Sequence, residues 1–103
     1  MVVLRDERDG EDYRYLTARR NEAGDLLVEG EDWGPATRPV SSDGEYEWGW
    51  TVPADKIPEL LRVLDAEPEA DVLHVLSARF SGAASYVLER RLRESGLASL
   101  WVF

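Results

Sequence analysis

The chain lacks cysteine and contains a single histidine, His74, and a single lysine, Lys56. Without cysteine, a disulfide framework, a thiol nucleophile and a thiolate-ligated metal site are all excluded. One histidine supplies no converging partner for a catalytic triad or a metal centre, so we interpret His74 as an exposed surface residue. The G-x-S-x-G, P-loop and G-x-G-x-x-G patterns are missing as well. These absences disfavour an enzyme and predict neither a metal nor a cofactor.

Long apolar runs and clusters of basic residues are also missing. No stretch approaches the ~18 apolar residues of a membrane span, and residues 1–6 lack the basic and apolar regions of a signal peptide. We therefore expect a cytoplasmic location and no membrane partner. The 21 acidic residues outnumber the 12 basic ones, which gives a formal net charge of −9. Nucleic-acid binding needs clustered Lys and Arg, so the acidic surface favours a basic protein partner and no nucleic acid.

The 103 residues are predicted to form one domain, residues 1–103. The strongest pattern within it lies at residues 45–52, where two kinds of side chain alternate. A period of two is typical of a strand that buries one face. Tyr46, Trp48, Trp50 and Val52 point to the buried face, whereas Glu45, Glu47, Gly49 and Thr51 point to solvent.

Three further strands are predicted before this one: a strand start at residues 1–4, a strand at 13–19 and a strand at 25–30. The Asp9-Gly10 pair, in a charged loop between the first two, is a hairpin signal. The alternation at 13–19 leaves open which face of that strand is buried.

The segment 31–44 is predicted to be a loop of about twelve residues. Long connections in compact domains are often functional and are sometimes simply ordered packing. Pro39 within it disfavours a central strand. Trp33 is interpreted either as an anchor packed on the core or as an exposed binding aromatic.

A helix is predicted to follow, because Ile57, Leu60, Leu61 and Leu64 recur at helical spacing. Asp55 is the expected N-cap of this helix.

A second helix is predicted at residues 69–80, with a strand at 72–77 as the alternative. Ser81 is the expected cap of a third helix at 82–95, in which Glu89 and Arg93 form an i, i+4 pair. Residues 97–103 are expected to return to the sheet as a last strand.

This order predicts an α+β fold. An antiparallel sheet of four N-terminal strands plus a C-terminal strand would be covered on one face by two or three helices. The apolar C-terminal strand also leaves open whether the protein is a monomer or a homodimer.

The candidate site combines carboxylates with one exposed aromatic. Such a surface is typical of a protein-binding module, most concretely an immunity protein or an inhibitor of a basic partner such as a toxin nuclease. We expect one strand edge and one loop to bring the site together. Its predicted residues are Glu29, Glu31, Asp32, Trp33, Asp43, Glu45 and Glu47.

Three other classes of function remain open, and one of them is a domain with a housekeeping or scaffold role. An acidic nucleic-acid mimic would need carboxylates spaced like phosphates, and the chain mixes its acids with eleven arginines. An enzymatic or small-ligand domain would need a pocket between sheet and helices, near Tyr46 or His74. Glu45 and Glu47, roughly 7 Å apart along a strand, have a spacing found in glycosidase carboxylate pairs.

Several short motifs indicate a hairpin turn, an aromatic strand and a helix start. They are residues 24–34, Tyr46-Glu47-Trp48, residues 52–55 and Leu60-Leu61. In these motifs the chain resembles a group of small uncharacterised bacterial α+β proteins, over nearly its whole length. A bacterial source also agrees with the strong preference for arginine over lysine. The resemblance implies no activity and assigns no functional residue.

Overall fold

The computed structural model describes residues 1–34 and 45–102, with the backbone alone for Glu45. Within these residues five strands form one antiparallel sheet in which each strand pairs with its neighbour in the sequence. The predicted α+β class is therefore confirmed. The strands are β1 (Val2–Asp9), β2 (Asp12–Arg20), β3 (Leu26–Trp33), β4 (Glu45–Val52) and β5 (Ser99–Val102).

The Asp9-Gly10 hairpin is confirmed, because Asp9 pairs with Asp12 and Gly10 adopts a φ of +63°. That φ is one that glycine accepts without strain. The predicted loop at residues 5–12 is nevertheless wrong, since β1 runs on to Asp9. A β-bulge between Val3 and Arg5 shifts the register there, and Leu4 and Arg5 are both buried.

The third strand ends three residues later than predicted, at Trp33. Glu31, Asp32 and Trp33 were expected in a loop, but they continue β3 and pair with β2 on one side and β4 on the other. Pairing on both sides supplies backbone hydrogen bonds that outweigh the poor strand propensity of the preceding Gly30. The rest of the predicted loop, with Pro39 and Asp43, lies outside the described residues.

Three α-helices follow in the described part of the chain: α1 (Ile57–Val63), α2 (Val72–Arg79) and α3 (Ala84–Ser95). The strand alternative for residues 72–77 is wrong. The Asp71 side chain accepts hydrogen bonds from the backbone N–H groups of Leu73 and His74, and this cap favours the helix.

Two predicted caps are wrong. The helix after β4 begins at Ile57 without a side-chain cap, preceded by a 3₁₀ turn at Ala54–Lys56. Just before this turn, the N–H of Ala54 donates a hydrogen bond to the carboxylate of Asp25. The hydroxyl of Ser81 donates to the carbonyl of Ser77, and α3 begins at Ala84.

The helices pack on one face of the sheet, which we call the inner face. Its strand residues and the apolar sides of the helices form one core, and the predicted stripe of α1 lies within it. The other face, which we call the open face, carries the alternate strand positions. The fully buried large side chains are Leu4, Leu16, Leu26, Leu60, Leu61, Leu64, Leu76, Leu88, Leu92, Val28, Val52 and Val72.

Each face has one tryptophan packed flat over a strand glycine. Trp48 covers Gly30 on the inner face, and Trp101 covers Gly49 on the open face. The two residues of each pair are direct cross-strand partners. A Cβ atom at either glycine would collide with the indole, so these glycines make room for an aromatic ring.

Candidate functional site

The open face is built by the strict alternation of β2, β3 and β4. Cross-strand pairing places Tyr15 opposite Glu31, and Glu31 opposite Glu47. Because neighbouring strands are in register, side chains from different strands form rows across this face. The described residues of the rows that matter for the site are Tyr13, Tyr15, Thr17, Glu29, Glu31, Trp33, Glu47 and Trp101.

Two depressions cross the open face. The central cleft has a volume of about 240 Å³, and the second, wider depression has a volume of about 460 Å³. Tyr15 and Glu31 line both, so the two depressions form one groove. The central cleft is lined by Met1, Tyr15, Thr17, Glu29, Gly30, Glu31, Glu47 and Trp101. The second is lined by Arg8, Glu11, Tyr13, Tyr15, Glu31 and Trp33.

Aromatic rings form one wall of this groove. The rings of Tyr13 and Tyr15 are stacked with centroids 6.0 Å apart, and Trp33, opposite Tyr13 in the sheet, is 43% exposed. Trp33 is thus an exposed aromatic at a strand end and not an anchor on the core. The Arg8 guanidinium lies 5.0 Å from the centroid of the Tyr13 ring, which shows that a cation already packs against these rings.

The hydroxyl of Tyr13 is held at the edge of the groove. It donates a hydrogen bond to Asp6 Oδ1 at 2.8 Å. This bond to a carboxylate raises the pKa of Tyr13, so the phenol stays protonated and remains a donor.

Carboxylates form the other wall. Glu29 pairs with Arg19 at 2.9 Å, and Glu31 accepts a hydrogen bond from the Trp33 indole at 3.3 Å. Among the described residues no cation forms an ion pair with Glu31 or Glu47. These two are direct cross-strand partners, and like charges in that position destabilise a sheet. The groove therefore holds negative charge that a bound cation would relieve.

The structure brings together four of the seven predicted site residues: Glu29, Glu31, Trp33 and Glu47. Glu45 is paired with Trp33 in the backbone register, and Asp43 lies outside the described residues. Asp32 lies on the inner face, because it falls between two open-face positions of β3.

Sequence reasoning missed Tyr15, Thr17 and Trp101 as members of the site. The alternation at residues 13–19 contains the signal for the first two, because a period of two puts Tyr13, Tyr15 and Thr17 on one face of a strand. Trp101 had no such signal. Its position depends on the pairing of β5 with β4 across three intervening helices.

The inner face carries a different charged cluster, centred on a buried arginine. Arg5 is 2% exposed, and its Nη2 donates to Glu89 Oε1 at 2.8 Å. Its Nε donates to the hydroxyl of Ser85 at 2.9 Å. The guanidinium also lies 3.6 Å from the centroid of the Tyr86 ring. Two nitrogens of this guanidinium are therefore hydrogen-bonded within the protein, and an aromatic ring packs against it.

Glu89 is the centre of the same cluster. Its Oε2 accepts hydrogen bonds from the indole N–H groups of Trp48 at 2.8 Å and Trp50 at 3.3 Å. The predicted pair with Arg93 is wrong, because Glu89 faces Arg5 and the sheet, while the Arg93 guanidinium lies 5.5 Å from the Trp50 ring centroid. The contacts of this carboxylate tie α3 to the sheet.

Asp32 lies near this cluster, and burial raises its pKa above the ordinary value of 3.8, opposed by the nearby Arg14. Its Oδ1 has no hydrogen-bond partner among the described residues. Tyr46, opposite Asp32, stacks on Trp48 with ring centroids 5.4 Å apart. His74 is exposed on α2 and does not take part in either cluster.

The fold and the site define a small α+β domain with an open sheet face that carries aromatic rings and carboxylates. No protein-family model, curated protein or solved structure matches the chain. The resemblance to small bacterial proteins therefore stays a prediction. None of the described helices is long and apolar enough to cross a membrane. Within residues 1–34 and 45–102, no group of three or more His, Asp or Glu side chains is arranged to hold a metal ion.

Proposed function

We propose that this protein is a binding module that holds a basic protein partner on its open face, in the manner of an immunity protein or an inhibitor. The observation that carries the proposal is the groove in which Glu31 and Glu47 lie beside aromatic rings, with no ion pair to any cation in residues 1–34 and 45–102. A surface that keeps like charges as direct neighbours gives up stability, and binding a cationic partner recovers it.

The composition of the groove agrees with this role. Tyrosine and tryptophan are enriched at the energetic centres of protein interfaces, and Tyr13, Tyr15 and Trp33 lie together on the sheet. A net charge of −9 would steer a basic partner toward the protein and raise the association rate. The aromatic rings would contribute most of the affinity at contact. The carboxylates would raise the association rate and select a basic partner.

The arrangement favours a protein partner over mimicry of a nucleic acid. A mimic needs an unbroken row of negative charges, whereas aromatic side chains interrupt the carboxylates of the open face. Arg8 and Arg19 lie among them as well and cancel part of the charge.

The proposal is tested by capture from a lysate of the source organism with three baits: wild type, the double variant Glu31→Gln/Glu47→Gln, and the control Glu94→Gln. Glu94 is exposed on α3, away from the open face. We expect wild type and the control to recover the same basic protein in a one-to-one complex that high salt weakens. The double variant should associate with it about tenfold more slowly. Equal association rates for the double variant and wild type would contradict the proposal.

A further inference from the structure

The central cleft is lined by a threonine as well as by carboxylates and rings. Thr17 is 7% exposed, lies on the open face and lines the cleft. Its hydroxyl can donate a hydrogen bond or accept one from a ligand in the cleft.

The walls of the cleft define what that ligand must be. Glu31 and Glu47 supply carboxylate oxygens without an ion-pair partner in the described part of the chain, and Tyr15 and Trp101 supply aromatic surface. The volume of about 240 Å³ is below the range of pockets for drug-sized molecules. It suits one cationic side chain and not a larger ligand.

The inner face of the same protein shows which cation uses such a set of groups. Arg5 is held by a carboxylate of Glu89, the hydroxyl of Ser85 and the ring of Tyr86. The central cleft offers the same three kinds of group, a carboxylate, a hydroxyl and an aromatic ring, and no guanidinium is among the described residues that line it.

We propose that the central cleft is a pocket for one guanidinium group, the side chain of an arginine on the partner. This inference rests on the proposed function and specifies its central contact. A guanidinium has five N–H donors in a plane and stacks on aromatic rings, so it can reach two carboxylates and a hydroxyl at once. A lysine ammonium is a compact and strongly hydrated charge that matches this set less well.

The test is an NMR titration of the whole protein with N-acetyl-arginine amide, followed through the indole N–H signal of Trp101 and the backbone signals of Tyr15 and Thr17. The same titration uses N-acetyl-citrulline amide, which has nearly the same shape without the charge, and N-acetyl-lysine amide. We expect saturable binding of the arginine amide in the millimolar range. The citrulline amide should give no saturable shift, and the lysine amide should bind about fivefold more weakly.

Two variants test the pocket residues. Thr17→Val keeps the β-branched shape and removes the hydroxyl, and Glu47→Gln removes one charge. Each should weaken arginine-amide binding about fivefold. The matched controls are Thr51→Val, on the same face outside the cleft, and Glu94→Gln, on α3. Both should bind like wild type, and the backbone spectrum reports whether each variant is folded.

Three results would overturn the pocket: no saturable shift with the arginine amide, equal binding of the citrulline or lysine amide, or unchanged binding by Thr17→Val and Glu47→Gln. These results differ from failure of the proposed function. If a basic partner is captured and still binds Thr17→Val as tightly as wild type, the pocket is wrong and the binding face stands. If the arginine amide binds as expected but no basic partner is recovered, the pocket stands and the proposed function is wrong.

Discussion

The two faces of the sheet use the same kinds of residue in opposite ways. On the inner face, Glu89 binds Arg5 and two tryptophan indoles, so its charge is satisfied inside the fold. On the open face, Glu31 and Glu47 lie side by side near tryptophans, and no described cation forms an ion pair with them. The difference indicates that the cluster around Glu89 stabilises the fold, whereas Glu31 and Glu47 are available to bind a partner.

The strongest way to break this comparison is to remove an arginine from each face. Arg5→Leu leaves the largely buried Glu89 without its cation, and breaking a buried ion pair costs about 3–5 kcal/mol. Arg19→Leu removes the exposed partner of Glu29 on the open face, for a loss of about 0–1 kcal/mol. Urea unfolding followed by circular dichroism measures both. Similar losses for the two variants would show that the faces do not differ in this way.

The two glycines beneath tryptophans give a second comparison. Gly30→Ala pushes against Trp48, which is 8% exposed and fixed by its hydrogen bond to Glu89. Overpacking of this kind costs about 1–3 kcal/mol. Gly49→Ala pushes against Trp101, which lies on the half-exposed open face and can move outward. We expect a smaller loss of stability there, together with a red shift of tryptophan fluorescence and weaker binding of the arginine amide. A larger loss from Gly49→Ala than from Gly30→Ala would contradict this account.

Asp32 gives a smaller effect that depends on pH. Its pKa in the folded protein is raised above 3.8, mainly by burial, so folding disfavours its charged form. Between the pKa of Asp32 in the unfolded chain and its higher pKa in the folded protein, the folded state binds more protons than the unfolded state. The contribution of Asp32 to stability therefore falls as pH rises through this interval. Asp32→Asn should therefore unfold at higher urea than wild type at pH 7, and the difference should shrink below pH 4. A difference that is constant with pH, or that grows on acidification, would exclude this assignment.

Part of the open face was predictable from local patterns. Alternation along residues 45–52 places Glu47 on the face of the strand away from the buried tryptophans. The Asp9-Gly10 turn sets the pairing of β1 and β2. These signals depend on neighbours in the sequence, where strand periodicity and turn chemistry act. The same alternation would have separated Asp32 from Glu31 if β3 had been extended to Trp33.

The inner cluster was not predictable in this way. Arg5 and Glu89 are 84 positions apart. The bulge in β1 beside the buried Arg5 contains no glycine or proline from which it could be predicted. Helical spacing suggested Arg93 as the partner of Glu89, but a buried carboxylate binds the cation and indoles that share its burial. Contacts of this kind follow from the packing of α3 on the sheet and not from any local pattern.

The central claim is that the open face gives up stability in order to bind a cation. The most direct test compares urea unfolding of wild type and Glu31→Gln/Glu47→Gln, with N-acetyl-arginine amide or with N-acetyl-citrulline amide at matched ionic strength. We predict that without ligand the double variant is more stable than wild type by about 0.2–1 kcal/mol, because a like-charge pair is removed. The arginine amide should then stabilise wild type more than the double variant, because a ligand stabilises only the state that binds it. A double variant that is less stable than wild type, or that gains as much from the arginine amide, would contradict the account.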